Sequence, residues 1–425
     1  LKIRVAFIAC GLGHGGAESQ LVLLVQHLDR SRFEPSVVAI GQPLEAVEAH
    51  LRESCVDPFS MTRPLSAAEQ RWLHDEDYYF YVHRMLRPVV PIEIVPRTHG
   101  LSPSVFQALY RHLRSHRPSI VQTWGWLSEF YSVGAGVAAG VPIIVGGDRG
   151  SGASTYPLLI KLQCAITDRI RRRFMTAIVA NSESGGEALR RKGMDPANVH
   201  VIGNGIEEFT PDWRRAAEFR ARHGLDRQQF VVGLIAGFRP VKNHAMLLRA
   251  MRRLRDRIPA TAVLVGDGPL RGEIVRMSHD LGIQDSVVLA GWVPDPKPIY
   301  ACFDVLVSTS HSEGFSNSIG EAMMAGVPVV AADVSGNCDL IQSGFNGILV
   351  PPEDHEALAD QLYLLATDAA LRQRMSAAAQ TWVRDSCSVA RMVRRYEALY
   401  SALCASKGIY ALEADAGAAA ADSEV

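Results

Sequence analysis

Two carboxylates stand out. Glu313 and Glu321 lie in HSEGFSNSIGEAMMAGVP (311–328), with seven residues between them. Glu313 falls on a loop that follows the apolar run Val305–Ser308. Glu321 falls in the first turn of a helix expected to open at Asn317 and Ser318. The unpaired N–H groups of such a helix start suit a phosphate. Ser318 to Glu321 also fits the capping box S-x-x-E, in which Glu321 would only satisfy the helix start. At Glu321 the two readings weigh equally. Glu313, in a Gly-Phe-Ser loop, is harder to explain as structure.

Two cations come next. In GFRPVKNH (237–244), Arg239 and Lys242 follow an apolar run of strand length that begins at Phe230. Ligands of open parallel sheets bind at the carboxyl edge of the strands. A guanidinium fork and an ammonium point charge at that edge suit a diphosphate. Taken singly, a basic pair opening a helix is more often a solvated surface. The phosphate-ready helix expected at Asn317, on the same edge, reverses that preference.

The third feature is a glycine loop near the start. Gly11, Gly13 and Gly16 spell G-x-G-x-x-G after the run Ile3–Cys10 and before a helix-periodic segment. A dinucleotide site also wants an acid at the end of the next strand. That strand ends AIGQP, with no acid, so NAD is disfavoured. What remains is a glycine turn and a helix start open to phosphate or sugar, or a tight turn with no ligand.

The elements that must hold these residues alternate. Apolar runs at Ile3–Cys10, Pro35–Ile40, Ile120–Thr123, Val141–Val145 and Ala177–Ala180 are separated by helix-periodic segments. The pattern restarts at Phe230, with further runs at Ala262–Val265, Val287–Leu289, Val305–Ser308 and Val327–Ala331. Such alternation predicts parallel sheets with helices on both faces. AGVPIIV (139–145) recurs as AGVPVVA (325–331), a glycine-capped helix end followed by a buried strand. Two doubly wound α/β domains are therefore expected, with a polar seam near 207–229. Residues 62–100 break the alternation and are expected to be an insertion, packed on the first domain or serving as a lid. Residues 405–425 are Ala-rich and acidic and are expected to be disordered.

Composition excludes several classes. With 44 Lys plus Arg against 45 Asp plus Glu, no net charge draws the chain to nucleic acid. Seven scattered cysteines, none in C-x-x-C, argue against a zinc site and a disulfide framework and fit a reducing cytoplasm. LKIRVAFIAC reads as a strand, not a signal peptide, with Leu1 standing where an initiator Met is expected. The uncharged stretch 130–147 holds five glycines and Pro142, and is expected to be helix, stop and strand, not a membrane span. Asp75-Glu76-Asp77 imitates a metal-binding D-x-D but follows no apolar strand, so no metal is expected there.

Taken together, these segments resemble the retaining glycosyltransferases of GT-B architecture, the glycogen-synthase-like family four, also called group one. The resemblance is carried by GLGHGGAE (11–18), VANSES (179–184), IGNGIEEF (202–209), GFRPVKNH, VGDGP (265–269), GWVPDP (291–296), EGFSNSIGE (313–321) and GFNGILVPPED (344–354). VQTWGW (121–126) resembles a branch that builds bacterial surface polysaccharides. The resemblance implies two Rossmann-like domains facing across a cleft: an acceptor domain over 1–208, a donor domain over 209–385, and a helix over 386–404 crossing back to the first. It also implies a nucleotide-diphosphate sugar as substrate, no cofactor, and a glycan or lipid-linked acceptor.

By the same resemblance, Glu313 lies beside the donor sugar, and Arg239 and Lys242 neutralise the leaving diphosphate. Phe315, Ser316, Asn317 and Ser318 line sugar and diphosphate, Glu321 holds the ribose, Trp292 and Val293 border the base, and Gly15 and Gly16 approach from the first domain. Many relatives carry a His at the end of the strand matching Ile143–Val145. Here the chain reads VGGDRGSG, which leaves His14, Trp124, Asp148 and Arg149 as acceptor-side candidates, Arg149 for an anionic acceptor. The basic runs RIRRRF (169–174) and the one ending at Tyr396 read as solvated helix faces, or as peripheral membrane contacts if the acceptor is lipid-linked. Two rival classes remain: a non-catalytic sugar-nucleotide-binding protein on the same fold, and an NAD-dependent oxidoreductase.

Overall fold

The computed structural model describes residues 2–10, 15–41, 86, 88–97, 102–149, 158–226, 229–293 and 295–409. The first domain is built from β1 (Ile3–Cys10), α1 (Gly16–His27), β2 (Phe33–Gly41), β3 (Ile92–Pro96), α2 (Pro103–His116), β4 (Ile120–Trp124), α3 (Trp126–Ala139), β5 (Ile143–Asp148), α4 (Leu158–Phe174), β6 (Ala177–Ala180), α5 (Glu183–Arg191) and β7 (Val199–Val201). Its strands pair in parallel in the order β3-β2-β1-β4-β5-β6-β7. The central strands are largely apolar because helices cover both faces.

The second domain comprises α6 (Trp213–Arg222), β8 (Phe230–Ile235), α7 (His244–Arg255), β9 (Ala260–Val265), α8 (Arg271–Asp280), β10 (Val287–Gly291), β11 (Val305–Ser308), α9 (Asn317–Met324), β12 (Val329–Ala332), β13 (Ile348–Val350), α10 (His355–Thr367) and α11 (Ala369–Ser386). Its sheet order is β10-β9-β8-β11-β12-β13, again parallel. In each sheet the strand order reverses beside the first strand, between β1 and β4 and between β8 and β11. Those reversals open the crevices where ligands of such sheets bind.

A last helix, α12 (Val389–Ser406), returns to the first domain. Tyr396 and Tyr400 are fully buried in one core with Phe7, Phe33 and Trp124. Cys387, two residues before α12, belongs instead to the core of the second domain. The two crossings run side by side: Ile206 N donates to Cys387 O at 2.6 Å, and Ile206 bridges Ser388 in parallel. Gln20 of α1 clamps the Gly205 backbone, accepting from its N at 2.7 Å and donating to its O at 3.0 Å.

Two expectations change, and the one for 130–147 holds. Within 62–100, Ile92–Pro96 is not inserted matter but the edge strand β3, in register with Val37–Gly41. Helix α12 runs through Ala405 and Ser406, and Ile409 packs on the first core, so residues 405–409 are structured. The stretch 130–147 resolves into α3, Gly140 in the left-handed region (φ 75) and β5. Asp75, Glu76, Asp77 and residues 410–425 lie outside the described residues.

Candidate active site

The carboxyl ends of β8 and β11 are adjacent, and the loops that leave them are sewn together. Thr309 Oγ1 donates to Lys242 O at 3.0 Å, and His311 N donates to Val241 O at 2.8 Å. The β8 loop turns into α7 through Asn243, whose left-handed backbone (φ 46) is one that Asn tolerates and whose side chain accepts from Met246 N. This fixes the direction of Lys242. Its Nζ meets Glu313 Oε1 at 2.6 Å, and Ser310 Oγ donates to the same oxygen at 2.6 Å. The Glu313 side chain is 11% exposed and that of Lys242 27%, so the pair lies at the floor of the crevice and still opens to it. Arg239 sits one turn earlier, as the N-cap of the short 3-10 turn Pro240–Lys242.

Helix α9 begins at the end of the β11 loop. Ser316 is its N-cap, in extended backbone and without a side-chain cap bond, and its hydroxyl meets Ser318 Oγ at 3.2 Å. Glu321 is not a capping-box partner. It accepts from Tyr300 OH at 2.8 Å. Burial raises its carboxyl from 4.5 to about 7, against the pull of Tyr300 and Lys297. Lys297 is itself ion-paired to Glu207. Phe315 faces the linker, with a ring carbon 3.5 Å from where a Cβ on Gly203 would stand. Trp292 and Val293 follow Gly291 at the end of β10, on the same rim, and Val293 packs on the core that contains α9.

The first domain meets this rim at the start of α1. Asn317 Nδ2 donates to Gly16 O at 3.0 Å, so the two helix starts touch. A Cβ on Gly16 would stand 3.0 Å from that nitrogen, and one on Gly314 would stand 2.7 Å from Arg149 O. Only glycine permits these approaches without displacement. Gly15 is the N-cap of α1.

Sequence reasoning passed over Glu18. It folds back onto the Gly15 and Glu18 N–H groups, and burial raises its carboxyl above the ordinary range although Arg149 and Arg239 pull it down. The signal was present: an acid three residues after an N-cap reaches back to the cap N–H.

The acceptor-side candidates divide. His14 lies outside the described residues. Asp148 is bound to Arg171, whose main partner is the buried Glu129 at 2.7 Å. Trp124 is 4% exposed, and its Nε1 donates to Ala17 O at 2.7 Å, so it braces α1 and offers no surface to an acceptor. Arg149 stacks on Trp124, with its guanidinium carbon 3.7 Å from the ring centroid. Its Nη1 donates to Asn204 at 3.1 Å and its Nη2 to Tyr396 OH at 2.8 Å. Both amino ends thus make bonds inside the protein.

The run RIRRRF is also split: Arg171 points inward, whereas Arg169, Arg172 and Arg173 are exposed. Among the described residues, no helix is long and apolar enough to cross a membrane.

Comparison with known proteins agrees with this fold. The family model "Glycosyltransferase Family 4" matches residues 14–208, and "Glycosyl transferases group 1" matches residues 216–382. A D-inositol 3-phosphate glycosyltransferase of Salinispora arenicola (strain CNS-205) is 33% identical over 50% of this chain and 51% of its own. The Escherichia coli UDP-Gal:alpha-D-GlcNAc-diphosphoundecaprenol alpha-1,3-galactosyltransferase is 25% identical over 71% of this chain and 79% of its own. The chain spans about half the length of the first curated relatives it matches. Among solved structures, Anabaena Alr3699/HepE in complex with UDP and glucose superposes with a TM-score of 0.76 at 20% identity, over 94% of this chain and 99% of that one.

Proposed function

We propose that this chain, which belongs to the group 1 glycosyltransferases and has the GT-B fold, moves a sugar from a nucleotide-diphosphate donor to a glycan or lipid-linked acceptor, with retention at the anomeric carbon. One observation carries the reading: Lys242, Glu313 and the start of α9 converge at one switch point and face the glycine start of α1.

The chemistry follows from charge. As the glycosidic bond breaks, negative charge grows on the leaving diphosphate. Lys242 and Arg239, with the N–H groups that open α9, meet that charge without reorganising. Glu313 accepts from hydroxyls of the donor sugar, and Glu321 accepts from the ribose. Trp292 and Val293 border the base. With two cations at the diphosphate, transfer needs no divalent metal, so EDTA leaves the rate unchanged.

The acceptor is proposed more coarsely. Similarity to a galactosyltransferase whose acceptor is a diphosphoundecaprenol-linked sugar supports a role in bacterial surface polysaccharide synthesis at the inner face of the membrane. Exposed Arg169, Arg172 and Arg173 would then face anionic lipid.

A panel of UDP-, GDP- and ADP-sugars tests the function. One donor should raise the melting temperature and be consumed with acceptor or water, and Glu313→Ala should abolish consumption. A donor that binds tightly and is never consumed would favour the non-catalytic sugar-nucleotide-binding reading. Binding of NAD in place of any nucleotide sugar would favour the oxidoreductase.

A further inference from the structure

We infer that Arg149 is a positioning residue that sets the hydrogen-bond polarity of the hinge and thereby fixes the glycine start of α1 against the donor helix α9. This rests on the reading of the Glu313–Glu321 segment as the donor seat.

The polarity follows from which groups can donate. Arg149 has only donors. Its Nη1 lies 3.1 Å from Asn204, so the Asn204 carbonyl oxygen must face it. The amide nitrogen of Asn204 then faces Asn317 and donates to Asn317 Oδ1 at 2.8 Å. Asn317 is thereby left with its nitrogen toward α1, donating to Gly16 O at 3.0 Å. Four groups from four regions thus form one directed chain: the end of β5, the interdomain linker, the donor helix and the first turn of α1.

Arg149 is held rigidly enough to act as the origin of that chain. Trp124 lies under its guanidinium at 3.7 Å, and Tyr396 of α12 accepts from Nη2 at 2.8 Å. Asn204 is 4% exposed and Tyr396 is fully buried, so water does not compete freely for these bonds. Trp124 also donates to Ala17 O. The carbonyls of Gly16 and Ala17 are therefore gripped from the two lobes, one by Asn317 and one by Trp124. The first turn of α1 cannot move without breaking one of them.

Asn204→Asp separates positioning from packing. Asp is isosteric and pairs with Arg149, but its carboxylate cannot donate to Asn317. Asn317 must then turn its nitrogen toward Asp, and the bond to Gly16 is lost. In Asn204→Asp and in Arg149→Met we expect a melting temperature near that of the wild type and a KM for the donor within about threefold of it. We expect kcat to fall about tenfold to a hundredfold, the loss that a misplacement of about 1 Å brings. Tyr396→Phe removes one acceptor from Arg149 and leaves the polarity of Asn204 intact, so its kcat stays within about threefold of the wild type by the same reasoning.

Hydrogen exchange of the α1 amides in ligand-free protein is the second readout. It should quicken in Asn204→Asp and Arg149→Met and not in Tyr396→Phe. Wild-type kcat and wild-type α1 exchange in Asn204→Asp would overturn the inference. If the wild type turns over no donor at all, the donor reading fails, and α1 exchange alone still decides the relay.

Discussion

The Lys242 ammonium stands 2.6 Å from Glu313 Oε1, a contact between loops that leave two neighbouring strands. On the proposed reading it joins the cation for the leaving diphosphate to the carboxylate for the sugar, so each orients the other before any ligand arrives. Removing Lys242 takes a charge from the site and leaves Glu313 poorly hydrated. Lys242→Ala should lower kcat/KM by about 10²–10³, the range seen when one preorganised donor to a developing anion is lost. Steady-state kinetics with the best donor checks this.

Glu321 gives the site a pH dependence. In the ligand-free protein its carboxyl is raised from 4.5 to about 7, chiefly by burial. Between those values the folded chain holds a proton that the unfolded chain releases. Stability from this group therefore falls as pH rises through that window. The ionised form, which can accept from ribose hydroxyls, accumulates above it. Nucleotide affinity should rise about tenfold from pH 6 to pH 8 as the carboxyl ionises. In Glu321→Gln it should be flat. Calorimetric titration at several pH values reads both.

Gly314 tests the contact between the lobes. A Cβ there would meet Arg149 O at 2.7 Å, Arg149 C at 3.0 Å and Asn181 Oδ1 at 3.0 Å, all across the cleft. Gly314→Ala should hold the lobes apart. We expect kcat to fall by about 10²-fold, as for a small misplacement of reacting groups, while nucleotide affinity, which we propose rests on the second domain, changes little. Product-formation kinetics beside nucleotide titration separates the two effects.

Gly205 tests the hinge. A Cβ there would stand 2.8 Å from Val389 Cα, at the start of α12. Backbone cannot yield as a side-chain tip can, so Gly205→Ala should destabilise the fold by about 1–3 kcal/mol, the usual cost of overpacking. Urea unfolding followed by circular dichroism measures it.

Much of this was legible in the sequence, for a physical reason. Buried parallel strands such as Val305–Ser308 and Ala177–Ala180 are short, almost wholly apolar runs without charge, and their bounds read directly. The strands that escaped notice are β3, β7 and β13, all toward sheet edges and three to five residues long. β3 is preceded by Pro91 and ends on Pro96, which an edge permits and a pattern search discounts.

At the site, residues close in sequence were found together, as Glu313 and the α9 start were. Partnerships between distant segments were not. Nothing in VGGDRGSG says that Arg149 will lie on Trp124 and bond to Tyr396, because that pairing exists only once α12 has crossed back. Glu321 reads in the sequence as cap or ligand, and its partner Tyr300, distant in sequence, belongs to neither reading.

The central claim is that the carboxyl rim of the second sheet cradles a diphosphate. Titration of UDP, GDP and ADP into the wild type and into the Arg239→Ala/Lys242→Ala double variant tests it most directly. The account predicts that one nucleotide binds the wild type and that the double variant binds it at least about a hundredfold more weakly, as expected when two charge-assisted contacts of about 1.5–3 kcal/mol each are lost, with no loss of melting temperature. Equal affinity in the folded double variant, or no nucleoside diphosphate bound by the wild type, would contradict it.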